Sequence, residues 1–78
     1  MQSFGEYVRE LREGKNIGVR ELARRIQVSA SFISDIEQGY RFPSHPVMKR
    51  LAKELGTSIK DLEQFVMHKR KKDNDTAN

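Results

Sequence analysis

The chain contains no cysteine. That excludes a disulfide framework and thiolate chemistry, and it matches a protein of the reducing cytoplasm. No run of about eighteen apolar residues occurs, so no segment is expected to span a membrane. The opening MQSFGEYVRE has no basic stretch followed by an apolar one, so no secretory signal is expected, and the expected location is cytoplasmic. Strand-length segments of period two, low-complexity tracts and internal repeats are absent, which leaves an all-α chain. Histidine is scarce: His45 and His68 stand alone and lack the spacing of paired metal ligands. No carboxylate pair belongs to a pocket-forming motif, and Asp61 and Glu63 read as a cap and a surface charge. Enzymatic activity, metals and cofactors are therefore not expected.

What is present fits one small domain. The 78 residues are 36% hydrophobic and 33% charged, enough for a modest core shared by short helices with much polar surface. The formal charge is +4. Half of it falls after Phe65, where Lys69, Arg70, Lys71 and Lys72 outnumber Asp73 and Asp75. A mildly basic domain with a basic tail suits a polyanionic partner, and equally suits a protein that is simply soluble.

Phe4, Val8 and Leu11 follow i, i+4, i+7, the apolar stripe of a first helix of about three turns. Glu6, Arg9, Glu10, Arg12 and Glu13 read as its solvated faces. The helix should stop near Gly14 to Asn16, residues that tolerate the left-handed conformation. Ile17 then enters the core, and a second helix opens near Gly18 with Glu21 in a weakened capping box. Gly39 is the expected stop of a third helix, Ser44 and Pro46 open a fourth, and Gly56 closes it after a stripe of Val47, Leu51 and Leu55. Ser58 with Asp61 resembles a capping box for a fifth helix carrying Ile59, Leu62, Phe65 and Val66. The expected domain runs over residues 1–67, followed by a basic and then polar flexible tail over 68–78.

Within this plan the stretch Val19 to Gly39, VRELARRIQVSASFISDIEQG, stands apart. Leu22 and Ile26 are spaced i, i+4, Ile33 and Ile36 are spaced i, i+3, and Gln27, Val28 and Ser29 lie between the two halves. Ser29 suits the cap of the second half. Two short helices with an apolar elbow and a small polar outer face fit a helix-turn-helix that presents its second helix to a groove of DNA.

With those residues in view, LREGKNIGVRELARRIQVSASFISDIEQGYRFPS followed by VMKRLAKELGTSIKDL resembles the lambda-repressor/Cro-like helix-turn-helix domain, also called the xenobiotic response element family. The likeness covers about residues 4 to 66 and is carried by Glu21–Ala23, Val28–Ser29, Ile33–Gly39 and Leu51–Gly56 in their order and spacing. It implies a compact five-helix domain that binds double-stranded DNA sequence-specifically, usually as a homodimer on a palindromic operator, in transcriptional control. The family's base-reading positions fall on Ala30, Ser31, Ser34 and Asp35. Its phosphate contacts fall on Val19, Arg20, Ser29, Tyr40 and Arg41. Arg12 and Glu37 match an ion pair that ties the first helix to the third.

Two departures from the family pattern are visible. Val19 stands where the family often has Gln, whose amide bridges a phosphate and the reading helix. Ala30, Ser31, Ser34 and Asp35 also include none of the side chains that read a base bidentately, Arg or Lys for guanine and Asn or Gln for adenine. Ala30 can touch a thymine methyl, Ser31 can donate or accept, and Asp35 can accept from a cytosine amine or pair instead with Arg24 or Arg25. Backbone amides near Gly18 and Ser29 can hold phosphates whatever the side chain. Phe65 and Val66 suit a two-fold dimer interface or packing back onto Phe4 and Tyr7. His68 to Lys72 suit a nonspecific phosphate grip or a solubilising tail. The alternative to a DNA-binding regulator is a protein-interaction module on the same fold, such as an antitoxin or another regulator that engages a protein partner.

Overall fold

The computed structural model describes residues 2–65, and every described element is helical. In chain order these are α1 (Phe4–Gly14), α2 (Val19–Ile26), α3 (Ala30–Gln38) and α4 (His45–Leu55). A further helix, α5, occupies residues 59–65. Val66, His68 and the expected domain boundary and tail lie outside the described residues. None of the described helices is long and apolar enough to cross a membrane.

The chain reverses direction by one repeated device. At the ends of α1, α2, α3 and α4 the positions Asn16, Gln27, Gly39 and Gly56 take positive φ, at 58°, 63°, 89° and 70°. In each case the following amide reaches back to a carbonyl in the last turn: Ile17 to Arg12, Val28 to Ala23, Tyr40 to Asp35 and Thr57 to Ala52. Carbonyls that would otherwise be orphaned are thereby satisfied, and the next helix starts at a fixed angle.

Helix starts are less uniform. Ser3 and Glu6 form a reciprocal capping box at α1 that the sequence reading did not identify. Ser29 caps α3 through its hydroxyl, which accepts from the Phe32 amide at 3.1 Å. Ser58 accepts from the Asp61 amide at 3.0 Å, while the Asp61 carboxylate lies toward Thr57 instead of closing the box. The box expected at α2 is not formed. Gly18 has no side chain to offer, and Glu21 turns to Arg24 and Arg25. Ser44 stands at the cap of α4 without a capping hydrogen bond.

The core lies between α2 and α3, with α1 packed on α3 and α4 packed on α2, and Val8, Leu22, Ile26, Ile33, Ile36, Leu51, Leu55 and Leu62 are fully buried in it. Each Leu or Ile so buried contributes about 1.5–3 kcal/mol. The buried face of α1 is Phe4, Gly5, Val8 and Arg12, so Leu11 is only half-buried and Arg12 is not the solvated charge that periodicity suggested. Gly5 explains the rotation. A Cβ there would run into the carbonyl oxygens of Ile36 and Glu37, so α1 crosses α3 backbone to backbone.

Candidate nucleic-acid interface

One face of the molecule gathers the start of α2, the start and outer side of α3, and the loop after it. Leu22, Ala23 and Ile26 face inward on α2, while Ile33 and Ile36 do so on α3. What remains on α3 points outward: Ser31 exposed, with Ala30, Ser34 and Asp35 half-buried. The hydroxyl of Ser34 accepts from the amide of Gln38 at 2.8 Å, one turn further along. Sequence reading passed over Gln38, although its i, i+4 spacing from Ser34 was available.

The expected phosphate contacts are placed unequally. Arg20 is exposed on the first turn of α2, and Ser29 spends its hydroxyl on the α3 cap. The side chain of Val19 packs against the core, so a phosphate contact through that side chain is ruled out by its direction as well as its chemistry. Its main-chain amide stays in the first turn of α2, beyond the reach of any capping side chain. Tyr40 is 77% exposed, unusual for a large ring.

Arg41 has partners that the sequence did not reveal. Its Nε lies 3.5 Å from Oδ2 of Asp35, and its guanidinium carbon sits 5.4 Å from the centre of the Phe32 ring. Asp35 therefore does not pair with Arg24 or Arg25 as the alternative reading had it. Those two arginines converge on Glu21, with Arg24 donating at 2.7 Å and Arg25 at 2.9 Å. Their hydrogen bonds hold the Glu21 carboxyl below its ordinary value, and the Glu21 contact raises Arg24 in turn. Arg25 also approaches Glu54 of α4 at 3.6 Å. Arg24 and Arg25 are thus engaged in local ion pairs.

Behind the face lies one nearly buried ion pair. Arg12 donates to Glu37 through Nε at 2.7 Å and Nη2 at 3.2 Å, and to the carbonyl of Ile17 at 2.8 Å. The side chains are 10% and 9% exposed. The hydrogen bond to Glu37 raises the Arg12 pKa against the opposing effect of burial. The pair bolts α1 to the last turn of α3 and fixes the tilt of the outer face.

His45 is not isolated, since its Nδ1, at the start of α4, lies 3.6 Å from Glu63 of α5. Among the described residues no three His, Cys, Asp or Glu side chains converge as a metal site would require. Phe65 stacks on Tyr7, with ring centres 4.9 Å apart, and meets Phe4 edge-on at 6.4 Å.

Known proteins share this layout. The control protein C.BamHI of Bacillus amyloliquefaciens is 38% identical over 63 residues, 80% of this chain and 78% of its own. The transcriptional repressor RghR of Bacillus subtilis is 46% identical over 56 residues, 70% of this chain. The chain spans 41% to 44% of the length of RghR and other curated relatives it matches. The crystal structure of the biofilm regulator SinR in complex with DNA superposes with a TM-score of 0.70 at 27% identity, over 76% of this chain and 95% of that one. A family model described as a helix-turn-helix domain matches residues 3–65. The chain belongs to the helix-turn-helix domain family, in its lambda-repressor-like form.

Proposed function

We propose that this chain is a sequence-specific, double-stranded DNA-binding transcriptional regulator that lays α3 in the major groove and acts as a homodimer on a palindromic operator. The observation that carries the reading is the outer side of α3. Ser31 is exposed, Ser34 and the small Ala30 are half-buried beside it, and the negative charge of Asp35 is met by Arg41. An acidic group turned bare toward phosphates would oppose docking, and here it is paired. SinR was crystallised with DNA and RghR is named a repressor, which supports the same function for this chain.

In this mechanism phosphates are held by Arg41, Arg20 and the free amides opening α2, while Ser31 and Ser34 face base edges. Affinity then rests on backbone contacts and on the pairing of two protomers, with base readout adding modest discrimination. Phe65 and Val66 are the residues through which two copies would meet. A two-fold dimer places its reading helices about 34 Å apart, one turn of duplex.

Selection of bound sequences from a random duplex pool tests the proposal. The expected product is an inverted repeat with half-sites about 10 base pairs apart, bound at least about a thousandfold more tightly than bulk DNA. Ser31→Ala should change preference at one position, whereas Arg41→Ala should weaken all sequences alike. If every duplex binds equally at about micromolar or weaker, the regulator reading fails. The exposed Tyr40 ring would then favour the protein-interaction reading.

A further inference from the structure

We propose that Phe32 and Asp35 are positioning residues for Arg41, and that they hold its guanidinium in a single orientation at the rim of α3, ready for a phosphate. The inference rests on the DNA-binding reading and deepens it by assigning work to two side chains that need not touch DNA themselves.

Gly39 and Tyr40 return their amides to the last turn of α3, Tyr40 reaching the Asp35 carbonyl at 2.8 Å. This sharp reversal carries Arg41 back alongside the helix it has just left. Phe32 and Asp35 are spaced i, i+3, so they lie next to each other on the helix surface. Phe32 is half-buried and packed against the core, which fixes its ring. The guanidinium carbon then lies over the ring, 5.4 Å from its centre, and Nε lies 3.5 Å from the carboxylate.

An unrestrained Arg in a loop samples many rotamers and loses that freedom on binding. Here the two contacts restrain it beforehand, as preorganised recognition requires. With Nε facing Asp35, the donors on Nη1 and Nη2 are at the far edge, and the side chain is still 56% exposed. A planar group restrained over a ring and at Nε can meet a tetrahedral oxyanion through its Nη1–Nη2 end. Lysine cannot be held in this way, having neither a flat face nor an Nε edge.

The experiment has a DNA-free arm and a binding arm. In the free protein, the Arg41 Nε–Hε signal should be ordered on the nanosecond scale and displaced by the Phe32 ring current. Phe32→Leu should abolish the displacement and Phe32→Tyr should restore it. Asp35→Asn, which leaves packing volume unchanged, should release the order of the same signal, and it serves should Phe32→Leu fail to fold. On the selected duplex, Phe32→Leu should weaken binding about two- to fivefold, the size of an exposed cation–π contact. Arg41→Ala should then cost less in the Phe32→Leu background than in the original chain. An Arg41 signal indifferent to Phe32→Leu and Asp35→Asn overturns the proposal, as does an undiminished cost of Arg41→Ala. If the original chain binds no duplex above the nonspecific level, the functional reading fails while the signal of Arg41 still decides whether it is held.

Discussion

A single buried ion pair shows how much one residue can decide in a domain of this size. Arg12 and Glu37 are almost withdrawn from water and bind each other twice, with Ile17 supplying a third acceptor. The gain from the pair is largely offset by the desolvation of both charges, so its removal as a unit costs little while removal of one partner leaves a stranded charge. Glu37→Leu is therefore expected to destabilise the fold by about 3–5 kcal/mol. Arg12→Met combined with Glu37→Leu should recover most of that loss. Urea unfolding of the two single variants and the double variant measures the difference, and additive losses would contradict the argument. Helical periodicity assigned Arg12 to solvent, because i, i+4 spacing from Val8 was not given weight against its charge. Only the family likeness joined it to Glu37. Gly5 was not legible at all, since its significance is the nearness of the Ile36 and Glu37 carbonyls, a property of the α1–α3 crossing and not of any local pattern.

Among the elements, the turn between α2 and α3 sets the presentation of the outer side of α3, and it is made with a residue poorly suited to it. Gln27 adopts φ 63° and ψ 47°, where its Cβ crowds the following carbonyl. The same position after α3 and after α4 is filled by glycine. Gln27→Gly should thus raise stability by about 0.5–1 kcal/mol, seen as a higher urea midpoint at unchanged slope. A loss of stability would mean that the Gln27 side chain makes a compensating contact. Helix ends were the most readable feature of this chain: Gly39 and Gly56 act where their chemistry suggested, and Asn16 follows the end of α1. Starts were less readable. Ser44 and Glu21 have capping chemistry, but Glu21 sits within reach of two arginines whose charges outcompete a neutral amide. The partners of Arg41 were equally hidden, because they depend on a chain reversal that brings residue 41 back over Phe32.

At the scale of the whole molecule, an aromatic run joins the loop beside the proposed DNA-facing side to the last described helix. Phe42 lies 5.6 Å from Phe4, Phe4 lies 6.4 Å from Phe65, and Phe65 stacks on Tyr7 at 4.9 Å. The Tyr7 hydroxyl then meets that of Thr57 at 3.1 Å, at the entrance to α5. The first helix is in this way gripped between the end of α3 and the beginning and end of α5. Phe65 therefore packs against its own chain on at least one face. The two readings of this residue make different demands on concentration. Packing within the protomer makes the cost of Phe65→Ala independent of protein concentration, whereas a purely intersubunit role would make it vanish on dilution. The ring is half-buried, so the expected loss is about 1–3 kcal/mol, below that of a fully buried Phe. Unfolding followed by helical circular dichroism, at protein concentrations spanning about two orders of magnitude, should return this loss throughout. A cost confined to the concentrated samples would reassign Phe65 from the closure of the core to the contact between protomers.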